Sequence, residues 1–253
     1  MKKIILLIAL GVVFVSCNIF NLDNTDNENG IDTTNVDTID YDSIELSDSV
    51  LYNYYDDAME LYFREIKSDS THPNFNNPIF DTTEIEKKLK IIQAVYDSDS
   101  PQRNIVFETY DIHASTSLDF KSILASVDTG ATEIKNLING NIPTGNDDLD
   151  SILIEFHFDS IYAFHIIPSI VLYSSEKYNM LPIIEQLENI PSIIYAEPNY
   201  YNGDGNNITL NSDANSPKIT FSHGYGDCPS GCINRDYWEF QIIGSEAEFI
   251  RKY

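Results

Sequence analysis

The densest run of chemically versatile side chains is His223-Gly224-Tyr225-Gly226-Asp227-Cys228-Pro229-Ser230-Gly231-Cys232. A zinc centre would draw on His223, Asp227, Cys228 and Cys232, a mixed ligand set whose spacings differ from those of structural zinc pairs. Thiol redox chemistry needs a thiolate beside positive charge; Arg235 is close in sequence, but Asp227 and Asp236 oppose it. Two cysteines separated by Pro-Ser-Gly, in a chain that reads as exported, are instead expected to form a disulfide. So small a ring contributes about 1–2 kcal/mol through chain entropy, so its role would be to hold the loop's shape. Asn202-Gly203-Asp204-Gly205-Asn206 alternates oxygen-bearing side chains as calcium loops do, with Asp213 at a twelfth position. Asn207 falls where an EF-hand needs glycine and no helices flank the run, which favours a hairpin turn. His113, His157 and His165 fall on expected strands and read as hydrogen-bonded sheet residues. Neither a Gly-x-Ser-x-Gly step nor a Ser/His/Asp order is present, and no carboxylate pair stands out among forty acids. No catalytic residue, metal ligand or cofactor is assigned.

The chain of 253 residues is 42% hydrophobic and 12% aromatic, enough to bury a sizeable core. Against 15 Lys and Arg stand 40 Asp and Glu, a formal charge of −25. A nucleic-acid partner, which requires a basic face to displace counterions from phosphate, is excluded. Anionic lipid surfaces are disfavoured by the same sign.

Residues 1–16 carry a basic Met1-Lys2-Lys3 start and an apolar run from Ile4 to Val15 that is too short to span a bilayer, the pattern of a cleaved signal. Phe14-Val15-Ser16-Cys17 resembles the lipobox of bacterial lipoproteins. That resemblance implies lipidation at Cys17 and membrane attachment through the N-terminal lipid, in the cell envelope at the outer membrane, facing either side. Cleavage by an ordinary signal peptidase is the alternative. Between Asn18 and Asp48 lie nine acids, no Lys or Arg and few apolar residues. Such a chain cannot offset its ordering entropy by burial, and residues 17–48 are expected to form a flexible acidic tether.

The remaining elements follow from periodicity. Leu51, Tyr54, Tyr55, Ala58, Tyr62 and Ile66 recur at helical steps, and Ile85, Leu89, Ile92 and Tyr96 do so after a possible capping box at Thr83-x-x-Glu86. The β-branched and aromatic run Ile105 to His113 reads as a strand, and Gly140 as the C-cap of a short helix from about Thr132. The polar turn Thr144 to Asp148 suggests a boundary between a mixed part, 49–145, and a β-rich part, 146–253. In the latter, strands are expected at Ser151–Phe158, Tyr162–Ile167, Ile170–Tyr173 and Ile193–Ala196, with a helix capped by Asn179 before the last. Further strands are expected at Ile208–Leu210, Lys218–Ser222, Asp236–Ile242 and Glu248–Tyr253, with Trp238, Phe240 and Ile242 facing inward and Tyr237, Glu239 and Gln241 outward. The fold class is α+β with a mostly antiparallel sheet and a possible ferredoxin-like βαβ unit in the second half.

The run from Leu187 to Tyr200, a helix leading through a tight turn into a strand that closes on Glu197-Pro198-Asn199, resembles the C-terminal part of the subtilisin-propeptide inhibitor family. That resemblance, over about 150–201, implies a ferredoxin-like unit whose sheet packs on a protease. Glu197 would be the acidic contact, and Pro198, Asn199, Tyr200 and Tyr201 would belong to the cleft-binding stretch. An exposed edge strand there could also pair with a protease by β-addition. The terminal run from Gly226 to Phe240 resembles a motif of uncharacterised exported lipoproteins of Bacteroidota, which implies no activity. The expectation is a lipid-anchored envelope protein with a binding or structural role, possible partners being an extracellular protein or protease. The alternative is an extracellular hydrolase of unknown substrate.

Overall fold

The computed structural model describes residues 39–115, 118–200, 203–211 and 217–253. The expected signal and Cys17 lie outside them, as do Tyr201 and Asp213. Among the described residues no helix is long and apolar enough to cross a membrane.

The described chain begins at Ile39, nine residues upstream of where the tether was expected to end, and is already engaged there. A short 3-10 turn occupies Tyr41–Ser43, Ile44 is buried, and Asp40 N–H donates to the carbonyl of Gly244 at 3.0 Å. Helix α1 spans Asp48–Ser68 and α2 Thr82–Tyr96. Each starts on a side-chain cap: the Ser47 hydroxyl accepts from Val50 N–H, and Asp81, in place of the expected Thr83 box, accepts from Thr83 N–H. Ser47 also ties the two helices together, its N–H and hydroxyl both donating to Gln93 Oε1 at 2.9 Å.

The expected strand at 105–113 is helical. Ser100 caps and Pro101 opens α3, Pro101–Asn104, which runs into a π turn over Ile105–Thr109. A capping hydroxyl followed by proline at the first helical position outweighs the β propensity of the residues behind it. The chain then turns through Asp111 at a φ of 46°.

Two four-stranded antiparallel sheets follow. Sheet A contains β1 (Leu118–Val127), β2 (Phe158–Ala163), β3 (Ser169–Ser174) and β4 (Ile193–Tyr200) in the order β2-β3-β1-β4. Helices α4 (Thr132–Ile138) and α5 (Asp147–Glu155) connect β1 to β2, and α6 (Met180–Glu188) connects β3 to β4. This βαββαβ connectivity with its strand order is the ferredoxin-like arrangement. It begins at Leu118, so the polar turn at 144–148 is not a boundary: β1, before the turn, pairs with β3 and β4 after it.

That turn is instead a helix start. Asn146 caps α5, and the Asp150 carboxylate accepts from Thr144 N–H at 2.7 Å and Gly145 N–H at 3.3 Å. Burial would raise the pKa of Asp150, but these hydrogen bonds prevail and lower it. Leu149, Ile152 and Leu153 are buried at helical spacing, which replaces the strand expected at 151–158. Helix α4 closes on a Schellman turn, with Asn141 N–H to Asn136 O and Gly140 N–H to Leu137 O, both 2.9 Å, and Gly140 at a φ of 76°.

Sheet B is a meander of β5 (Asn207–Asn211), β6 (Lys218–Tyr225), β7 (Asn234–Ile243) and β8 (Glu246–Lys252) in sequence order. There are two cores. Ile208, Ile219, Phe221, Trp238, Phe240 and Ile242 of sheet B pack with α1 and α2, while Ile123, Ala125, Ile170 and Leu172 of sheet A pack with α4, α5 and α6. The α+β class with antiparallel sheets is as the residue pattern predicts. The division of the chain differs, because the ferredoxin-like unit, 118–200, is inserted between the helices and the strands of the other core.

Candidate functional site

Each sheet packs helices on one face; in sheet A the start of β1 also packs into the other core, Phe120 meeting Phe63 of α1 at 5.2 Å, and Ser122 is buried, while the rest of the second face carries exposed aromatic side chains. On sheet A, Ile161, Ala163, Ile170, Leu172, Ile123, Ala125 and Ala196 face the helices, so their strand neighbours form the open face. The register arranges these in rows across the four strands. One row is Tyr162, Val171, Leu124 and Glu197. Beside it, Ser169, Ser126 and Tyr195 are in register, with Phe164 at the β2 end, its N–H donating to Ser169 O. On the other side Ser160, Tyr173 and Ser122 are in register, and Ser122 Oγ accepts from Asn199 Nδ2 at 3.0 Å.

The face is aromatic. Tyr162 is 54% exposed, Tyr195 53%, Phe164 38% and Tyr173 37%. The rings of Tyr162 and Phe164 meet edge to face at 5.1 Å. Val171 is buried yet belongs to neither core, so its cover comes from the side chains of this face. Ser126 and Ser169, whose hydroxyls lie 3.4 Å apart, floor a trough between Phe164 on one side and Tyr195 on the other. Three strand spacings of about 4.8 Å make this face about 14 Å wide.

The residues singled out in the sequence occupy different places around it. Glu197 lies on the face, half-buried, one carboxylate oxygen accepting from the Tyr195 hydroxyl at 3.1 Å. That bond, with the carboxylate's charge, raises the pKa of Tyr195. Pro198 is buried, opposite Ile123; Asn199 is engaged with Ser122, and Tyr200 is exposed opposite Leu118. β4 is an edge strand as expected, but its edge is blunted. Ala196 N–H donates to Glu188 Oε1 at 3.1 Å, and Pro198, two residues on and facing the same way, has no N–H to offer. Pairing of another strand along 196–198 is therefore opposed by the chain's own chemistry, and the face, not the edge, is the available surface. The four aromatic residues were not singled out from sequence; the signal was the alternation of Tyr162 with Ile161 and Ala163.

The cysteine run builds a structural corner. Cys228 and Cys232 lie at disulfide distance, their Cα atoms 3.9 Å apart. Arg235 Nη1 donates to Gly205 O at 2.6 Å and Ser222 Oγ at 3.0 Å, and its Nη2 pairs with Asp204. The Arg235 hydrogen bond, with donations from Cys232 and Gly205 N–H, holds the Asp204 pKa at about 2. Both Asp204 oxygens accept from these donors, and residues 203–206 join the two sheets, not the arms of a hairpin. Gly224 is required here, since a Cβ would lie 2.7 Å from Gly205 O and against Cys232 Sγ. The His223 ring stacks on Tyr110 at 4.1 Å and its Nδ1 meets Asn206 Oδ1 at 2.8 Å.

None of the three histidines expected on strands is on one. His157 sits at a left-handed φ of 52° after α5, and His165 is in the β2–β3 loop. His113 has both ring nitrogens facing carboxylates, Asp57 at 2.8 Å and Asp111 at 3.4 Å, which leaves neither nitrogen for a nucleophile. The hydrogen bond that the His113 ring donates to Asp57 outweighs burial and raises the pKa of His113. A cleft of about 620 Å³ between the end of α2 and the β7–β8 hairpin is lined by Asp97, Asp99, Glu246 and Glu248, with serines as the other polar groups. All its charges share one sign. The chain matches no family model, and no curated protein or solved structure matches it.

Proposed function

We propose that this is a lipid-anchored cell-envelope protein with a non-enzymatic binding role. Cys17 carries the lipid at the outer membrane, the acidic stretch behind it spaces the folded part from the bilayer, and the open face of sheet A is the recognition surface. One observation carries the reading: a row-ordered face on which Tyr162, Tyr195, Phe164 and Tyr173 stay exposed. Contiguous apolar surface of this kind marks binding sites in soluble domains. A protease is the most concrete partner, supported by the ferredoxin-like connectivity of 118–200 and by Glu197 at the face. Contact would then run through the face, since the β4 edge is blunted.

Two measurements test this. Radiolabelled palmitate should enter the wild-type chain and not Cys17→Ala; equal labelling would remove the anchor. The purified protein should inhibit a subtilisin-type protease stoichiometrically, and Tyr162→Ser with Tyr195→Ser should abolish the effect. Simple digestion would discard the protease version.

A further inference from the structure

We infer that the open face of sheet A receives a polypeptide segment presenting a basic side chain, with Glu197 and Tyr195 as the seat for that cation. The inference rests on the recognition-face reading and adds the partner's chemistry.

The three rows of the face contain no cationic residue and one carboxylate, Glu197. One of its oxygens accepts from the Tyr195 hydroxyl; the other has no hydrogen-bond partner among the described residues. A half-buried carboxylate is screened less than an exposed one, so a cation brought to it gains more than at the open surface. Beside it the half-exposed Tyr195 ring offers a face to the same cation. A guanidinium or ammonium over Tyr195, in contact with the free Glu197 oxygen, would satisfy both groups at once. The apolar remainder of such a segment would rest on Leu124, Tyr162 and Phe164. A face about 14 Å wide takes one helix, about 10 Å across, or one extended strand.

Charge also excludes other occupants. The chain's own N-terminal stretch has no Lys or Arg between Asn18 and Asp48, so it cannot supply the cation. A second copy would bring another −25, and two such bodies repel. What remains is a different chain, locally basic where this one is acidic.

The test is NMR titration of the full-length protein with two probes, acetyl-Leu-Arg-Leu-Arg-Leu-amide and acetyl-Leu-Glu-Leu-Glu-Leu-amide. The basic peptide should bind at least about tenfold tighter and shift resonances of Tyr195, Glu197 and Tyr162. Raising salt from about 50 to about 500 mM should remove most of that advantage. Glu197→Gln should abolish it, and Tyr195→Phe, which keeps the ring, should retain it. Equal affinity for the two peptides, or a preference that survives Glu197→Gln, would overturn the cation seat; shifts still confined to the face would leave the recognition-face reading standing. Absence of shifts at the face with either peptide would overturn the inference and count against the reading beneath it.

Discussion

Two four-stranded antiparallel sheets in one chain leave opposite kinds of surface uncovered. The open face of sheet B satisfies itself. Its central row runs Thr209, Thr220, Glu239 and Arg251 in register, and the Glu239 carboxylate meets Lys218 Nζ at 3.3 Å and Arg251 Nη2 at 2.9 Å. The equivalent row on sheet A is tyrosine, valine, leucine and a glutamate whose second oxygen has no hydrogen-bond partner among the described residues. Both sheets bury their other face against helices, so folding accounts for half of each. What differs is the remaining half, and solubility alone would have made both look like sheet B. The aromatic face is thus the part of the molecule that folding does not explain.

The comparison predicts a gradient of mutational effects, steepest at the covered face of sheet B. Trp238→Ala, at a side chain 1% exposed, should lower unfolding free energy by about 3–5 kcal/mol in urea titration. A loss under about 1 kcal/mol would mean that this core is not the one described. On the open face of the same sheet, Glu239→Ala should cost about 1 kcal/mol, because the solvent-accessible Lys218 and Arg251 lose their shared acceptor. Burial would raise the Glu239 pKa, but the hydrogen bonds from Arg251 and Lys218 prevail and lower it. The stabilisation is therefore full above the ordinary value of 4.5 and is lost as pH falls through the lowered one. Thermal scans of wild type and Glu239→Ala should converge in acid; curves that stay parallel would contradict the ion-pair account.

A smaller effect is expected at the disulfide corner. Asp204 contributes stability above its ordinary pKa of 3.8 that disappears as pH falls toward about 2. Asp204→Asn should flatten that part of the pH profile, and an unchanged slope would assign it to other carboxylates. Least of all should stability respond on the open face of sheet A. Tyr162→Ser should change unfolding free energy by no more than about 0.5 kcal/mol. A loss comparable to that of Trp238→Ala would make the face part of the fold and erase the contrast.

The α+β class, helices α1, α2, α4 and α6, and six of the eight described strands follow from periodicity and turn chemistry. Asn179 is read correctly as a cap: its carbonyl oxygen accepts from Leu181 N–H, while its amide also ties down Phe75 O and Asn77 O, contacts that sequence spacing cannot reveal. Strand β1 was not expected and β2 lies upstream of the strand expected at Tyr162–Ile167; the two stretches expected as strands but found helical share one cause. At 100–109 and 146–155, β-branched residues outvoted a capping side chain and a first turn rich in proline or acids. Glu239 obeys strand alternation in direction but not in burial, because the cations that cover it come from β6 and β8. The candidate face was hidden for a similar reason: outward tyrosines on separate strands become one surface only once register places Tyr162, Val171, Leu124 and Glu197 in line. The insertion was hidden too, since nothing local to Leu118 or Tyr200 announces that the two stand opposite each other.

That last pairing bears on the order in which the molecule folds. Helices α1 and α2 complete their core only with strands that lie beyond residue 200, so as an open chain the whole of 118–200 must be closed as a loop. Once β1 and β4 pair, Leu118 and Tyr200 are neighbours, and the long excursion becomes a step across one strand spacing. The inserted unit is therefore expected to form first and to act as the nucleus that delivers sheet B to its helices. The single tryptophan, Trp238, lies in the later core and times its arrival. Ala196→Gly in β4 should slow the Trp238 phase of refolding, and a rate untouched by that change would mean that the two cores assemble independently.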